Sequence, residues 1–214
     1  MRIDFVSDIA CPWCAVGFNS LERALEAIGD EIPASLAVQP FELNPSLGPE
    51  GADTVSYLSR KYGIDGDQIA RNQAAIRARG AAVGFIFGDR PRVWNTFDAH
   101  RLLWWAGSEG PPGAQWALKH ALLQAYHRDG RNPGDRDVLL ELAASVGLQA
   151  GRAAEVIDRG EFAEDVRETE ADWQEAGIRA VPAVIVAGRH LISGAQTPEV
   201  YARVLREIAS RAGD

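Results

Sequence analysis

Cysteine is scarce: two residues in 214 cannot build the disulfide framework of a small secreted domain. Positive charge is also short, with 22 Lys and Arg against 30 Asp and Glu. The resulting net charge of -8 repels a phosphate backbone and offers no general attraction to an anionic membrane. No apolar run approaches the roughly 20 residues of a membrane-spanning helix. The start, Met1-Arg2-Ile3-Asp4, carries no basic segment, no long apolar stretch and no small-residue cleavage site. The expectation is therefore a cytoplasmic protein with neither nucleic-acid nor membrane partners. What the chain does have is a 46% hydrophobic composition, enough at this length to fold on its own core.

Periodicity gives the order of elements. Ile3–Ser7 reads as a strand, and Phe18, Leu21, Leu25 and Ile28 recur at helical steps across 12–28, with Pro12 suited to the first turn and Gly29 to the stop. A second strand is expected from Leu36 to Leu43, with Pro40 marking an edge or bulge. From 54 to 177 the spacing is helical throughout, predicting helices near 54–62, 66–82, 95–106, 114–128, 136–146, 150–158 and 161–176 and no strand. Strand character returns over 181–186 and 190–192 around a Gly188-Arg189 turn, before a last helix over 198–212. This order predicts an α/β protein: a thioredoxin-like fold, discontinuous over 1–50 and 178–214, interrupted by an all-helical domain over 51–177. The last helix of the insertion is expected to pack on the thioredoxin core. Trp94, Trp104, Trp105 and Trp116 read as core anchors of the helical block.

The two cysteines are spaced Cys11-Pro12-Trp13-Cys14, directly after a strand and opening a helix. Thiol-disulfide exchange needs a thiolate, a second thiol within bridging distance and an environment that favours the anion. Unpaired N–H groups at a helix start favour charge on Cys11, and Cys14 lies one turn further in. Cys11 then attacks and Cys14 resolves. Pro12 stiffens the turn, and Trp13 offers an apolar surface beside the sulfur. Two other readings remain: half of a zinc site, or a pair of inert core thiols. Zinc is the weaker, because no second C-x-x-C exists and His100, His120, His127 and His190 lie far apart in the sequence, so no metal is expected. Val181-Pro182 is the second element. In a thioredoxin fold it faces the cysteines, and a cis bond there leaves the Val181 backbone free for a substrate beside Cys11; an ordinary trans proline at a sheet edge is the alternative.

At these residues the chain resembles the DsbA family of thiol-disulfide oxidoreductases, specifically its cytoplasmic FrnE-like branch. The resemblance spans nearly the whole chain. It is carried by Asp8-x-x-Cys11-Pro12-Trp13-Cys14, by Phe41-Glu42-Leu43-Asn44-Pro45, by Asn95-Thr96-x-x-Ala99-His100-Arg101-Leu102, and by Gly177-Ile178-x-x-Val181-Pro182 with the later Ser193-Gly194-Ala195-Gln196. It implies a redox-active Cys11/Cys14 pair, a cis-proline loop at Val181-Pro182, and a protein or small-molecule thiol or disulfide as substrate. Phe5, six residues before Cys11, departs from relatives that carry a buried carboxylate there to assist proton transfer. Asp8 reads either as a proton-handling carboxylate or as a solvated turn residue. Asn95 and His100 read as polar groups for a substrate peptide or glutathione; a helix cap at Asn95 or Thr96, with Arg101 solvated, explains the same residues. Kappa-class glutathione transferases and 2-hydroxychromene-2-carboxylate isomerases are similar in architecture. They imply glutathione as a co-substrate, a homodimer, and an alternative isomerase or transferase activity. A non-catalytic module gated by the Cys11–Cys14 disulfide is a third reading. No tightly bound cofactor is expected.

Overall fold

The computed structural model describes residues 1–212. β1 (Arg2–Ser7), α1 (Pro12–Ile28) and β2 (Ser35–Pro40) form a βαβ unit whose strands run parallel, Arg2 opposite Ser35 and Ser7 opposite Pro40. Next come β3 (Ala52–Asp53), α2 (Thr54–Tyr62), α3 (Gly66–Ala82), β4 (Arg92–Val93), α4 (Phe97–Ser108), α5 (Ala114–His127), α6 (Arg136–Ser145), α7 (Ala150–Asp158) and α8 (Ala163–Glu175). The chain then returns as β5 (Ala183–Val186), β6 (His190–Ser193) and α9 (Pro198–Ala212). The sheet order is β2-β1-β5-β6, with β5 antiparallel to β1 and β6 antiparallel to β5. This is the α/β, thioredoxin-like architecture read from the sequence.

The pleat divides the sheet's apolar residues between two cores. Ile3, Phe5, Val38, Val184 and Val186 face the large core, together with α1, α9 and helices of the central block. Val6, Ala183 and Ile185 face a smaller cluster with Phe41, Ile178 and Trp173, so α8 covers the opposite side. The large core runs unbroken from the sheet into α4, α5, α6 and α7. Phe18 of α1 stacks on Trp116 of α5 at 4.0 Å between ring centroids, and Trp116 Nε1 donates to Glu22 at 2.6 Å. The exposed edge of β2 is closed by a side chain. Val38 N–H donates to Gln115 Oε1 at 2.9 Å and Gln115 Nε2 donates to the Val38 carbonyl at 3.1 Å, which gives the strand the pairing of a neighbour it lacks.

Several expectations shift. The helical stretch contains a strand pair, β3 with β4, two residues each and too short to leave a period-2 signature. β2 stops at Pro40 because Phe41–Leu43 turns away to reach the site below. β5 starts at Ala183, after the proline. The helix expected from 95 begins at Phe97, because the Asn95 side chain accepts the Phe97 N–H at 2.8 Å and holds the chain outside the helix. The one expected from 161 begins at Ala163, after Phe162 at a φ of 60°. Trp105 is buried, Trp94 and Trp116 pack partly buried on the large core, and Trp104 is half-buried outside it.

Candidate active site

Cys11 is the N-cap of α1, in extended conformation, and Pro12 occupies the first helical turn. Helix geometry therefore directs the free amides of the first turn at the Cys11 sulfur. The two cysteines differ in setting. Cys11, 4% exposed, forms part of the floor of a cleft of about 810 Å³, and Cys14, 0% exposed, is sealed behind it. The hydrogen bond from Cys14 holds the Cys11 thiol below the ordinary range, aided by the Cys14 and Trp13 amides and opposed by burial and by the Asp8 charge. Burial pushes Cys14 well above the ordinary range, and its neighbour Cys11 adds to the effect. An accessible sulfur disposed to ionise and an enclosed one disposed to stay protonated suit attack followed by resolution.

The Val181–Pro182 peptide bond is cis. It sets the Val181 carbonyl 3.6 Å from Cys11 Sγ, which donates to it. The proline ring packs against α1: a Cβ on Gly17 would sit 2.9 Å from Pro182 Cγ, so only glycine lets the helix and the proline loop approach this closely. Gly194, at a φ of 75°, fixes the loop from the other side, donating its N–H to the Pro182 carbonyl at 2.9 Å. Trp13, 38% exposed, stands at the rim of the cleft.

Asp8 is fully buried, which overturns the solvated-turn reading. Its carboxylate accepts from Ala10 N–H at 3.0 Å, Leu43 N–H at 2.7 Å and the Thr96 hydroxyl at 2.8 Å, and His100 Nε2 lies 3.4 Å away. Burial alone would raise the Asp8 carboxyl; pairing with His100 and the Leu43 and Ala10 amides outweighs it and holds the group low. Asp8 thus joins the loop before Cys11, the segment after β2 and the start of α4.

This network relocates three residues. His100 is buried behind Asp8 and does not line the cleft, so it positions the carboxylate and has no access to substrate. Asn95 precedes the N-cap Thr96, accepts the first amide of α4 and faces a separate small pocket with Leu47 and Pro49. Arg101 is buried, against the solvated reading: its guanidinium donates to the carbonyls of Val156, Ile157 and Glu161, the first two in the last turn of α7, and to Asp98.

The cleft walls come from α2, α3 and the loops, with Phe41, Leu43, Tyr57, Tyr62 and Ile76 supplying apolar surface. Lys61, Arg90 and Arg179 also line it. Asn44 explains the Phe41–Pro45 motif: its Oδ1 accepts from Tyr57 OH at 2.8 Å and Lys61 Nζ at 2.6 Å, tying that loop to α2. Arg90 reaches inward to the Ala10 carbonyl at 3.3 Å and to His127 Nδ1 at 3.0 Å. Since a guanidinium only donates, Nδ1 of His127 accepts and Nε2–H donates to the Ile9 carbonyl at 2.8 Å. Burial, with Arg90 adding, pushes His127 well below its ordinary range and keeps it neutral.

Sequence reasoning did not single out Lys119. It lies on the buried stripe of α5 with Leu118, Leu122, Leu123 and Tyr126, a charge on an apolar helix face that periodicity alone reveals. Burial lowers its ammonium to about 8, against the opposing pull of Cys14, Asp8 and Cys11. Among the described residues, no three His, Cys, Asp or Glu side chains cluster as a metal site requires.

A profile of the DSBA-like thioredoxin domain matches residues 2–206. The chain belongs to the DSBA-like thioredoxin family. Within that family's wider fold, a probable DsbA oxidoreductase of Streptomyces coelicolor superposes with a TM-score of 0.88 at 32% identity, over 97% of this chain and 89% of that one. YwbO of Bacillus subtilis, an uncharacterised protein, is 26% identical over 97% of this chain and 96% of its own. The fold is also shared by the cytosolic disulfide reductase DsbM of Pseudomonas aeruginosa in complex with glutathione, with a TM-score of 0.68, 19% identity and coverage of 98% of this chain and 100% of that one. This DSBA-like chain thus combines a family-wide scaffold with a site built from its own side chains.

Proposed function

We propose that the protein is a thiol-disulfide oxidoreductase in which the Cys11 thiolate attacks a disulfide RS–SR′. A Cys11–SR mixed disulfide forms and R′S⁻ leaves. Cys14, as thiolate, then attacks Cys11 Sγ; the Cys11–Cys14 bond forms, the bond to SR breaks and RS⁻ departs. The dithiol gives up two electrons and the substrate disulfide takes them; the same steps run backwards when the pair starts oxidised. The division between a cleft-lining sulfur held below the ordinary thiol range and a sealed one held above it carries this reading. The Val181 carbonyl beside Cys11 supplies a backbone acceptor for an extended substrate. Lys61, Arg90 and Arg179 complement the carboxylates of a glutathionyl group, which supports glutathione disulfide as a co-substrate. A glutathione-dependent isomerase has no need of a resolving thiol, so the second cysteine favours exchange.

Redox titration of the pair by mass spectrometry, together with insulin reduction and glutathione-disulfide turnover, tests the proposal. Cys11→Ser is expected to abolish turnover, at least 10³-fold for loss of a nucleophile, and Cys14→Ser to accumulate a glutathione adduct on Cys11. Undiminished turnover of either variant would overturn it.

A further inference from the structure

Of the 22 basic residues only two are lysines, Lys61 and Lys119. Elsewhere the long basic side chains are arginine, which cannot release its proton; these two alone carry an amine that can. Lys61 lines the cleft. Lys119 is 0% exposed, and among the described residues its Nζ has no hydrogen-bond partner. A buried cation without a partner is costly and accepts neutralisation instead.

The packing of α5 on α1 sets the level at which Lys119 enters the core. Near the start of α5, Trp116 meets Phe18 and Glu22. At its end, His127 bonds the Ile9 carbonyl. The helices therefore run in opposite directions, and Lys119 is level with Phe18, which also meets His120, one helical turn from Cys14 and within the span of a lysine side chain. The charges that reach Lys119 are those of Cys14, Asp8 and Cys11, with His127 two turns along its own helix and held neutral.

We infer that Lys119 is the proton acceptor for Cys14 in the resolving step. The inference rests on the exchange reading above. The neutral amine takes the Cys14 S–H proton, directly on side-chain rotation or through one water, as Cys14 attacks Cys11 Sγ of the mixed disulfide. Cys14–Cys11 forms, the Cys11–SR bond breaks, RS⁻ leaves, and the ammonium carries the proton. In the reverse direction the ammonium returns it to the emerging Cys14 thiolate. An ammonium pKa of about 8 lets both forms be present near neutrality.

Step-resolved kinetics with glutathione disulfide test this. Adduct formation on Cys11 is measured in a Cys14→Ala background, and adduct resolution in the intact pair, each from pH 6 to 10 by acid quench and mass spectrometry. Lys119→Met and Lys119→Arg are expected to slow resolution by roughly 10²-fold at pH 7, the usual scale of general acid–base assistance, and to erase its inflection near 8, while adduct formation changes less than about threefold. Resolution at the wild-type rate and pH profile in either variant overturns the inference and leaves the exchange reading standing. Absence of any adduct in the Cys14→Ala background overturns both. Should a variant not fold, NMR titration of the Lys119 ε-methylene in the wild-type protein decides: a titration near 8 that moves on oxidation of the cysteines supports the role, and an ordinary lysine titration in both redox states excludes it.

Discussion

Asp8 shows what one buried carboxylate does to a neighbouring thiol. Its charge opposes ionisation of Cys11 while its four partners hold the loop that carries Cys11. Asp8→Asn removes the charge and keeps an acceptor oxygen, so Cys11 should ionise at lower pH. Iodoacetamide at pH 6 should then alkylate it faster than in the wild type; an unchanged or slower rate contradicts the assignment. The same group links stability to pH. Its folded-state pKa is depressed, so its stabilisation is present above the value of an unfolded aspartate and disappears as pH falls through the folded value. The urea-midpoint gap between wild type and Asp8→Asn should narrow from pH 7 towards pH 3, and a constant gap would contradict this. Spacing alone suggested Asp8 as a candidate but left its burial open, because three of its partners, Leu43, Thr96 and His100, are 35 to 92 residues away. Cys11 and Cys14 were legible because strand, turn and helix sit together in one local stretch.

At the scale of elements, helix interiors were read from periodicity closely, α1, α2, α3 and α7 to the residue. Boundaries moved where a side chain outbid the backbone, as at Asn95, and the two-residue strands β3 and β4 were invisible to any period. Tertiary partners of single polar residues were equally hidden. Gln115, on a helix, completes a strand. Gln115→Ala should therefore cost about 1–3 kcal/mol by leaving two backbone groups of Val38 unpaired. Urea denaturation measures this, and a loss under a few tenths of a kcal/mol would mean that another group closes the edge. The contact of α1 with the proline loop is as tight. Gly17→Ala should destabilise by about 1–3 kcal/mol through overpacking against Pro182, and it should lower exchange activity more than a control Ala substitution at Gly151 in α7, where a Cβ meets nothing.

For the molecule as a whole, the large core passes from the sheet through α1 into the central helices without a gap. Urea transitions followed by far-UV circular dichroism and by tryptophan fluorescence, to which the central helices contribute Trp104, Trp105 and Trp116, should coincide; separated midpoints would show that the helices unfold independently. The sequence distinguished a thioredoxin-like scaffold from a helical stretch, but the bonds by which Asp8 and Arg90 tie the two together are visible only once both are folded. The Asp8 cluster has a consequence for truncation of the chain. Because Thr96 precedes α4 and His100 lies on it, excising the central helices would strand an anion in apolar surroundings beside the sulfurs. Of those helices α4, the third, is tied by charge to the loop that carries Cys11 and cannot be shed alone.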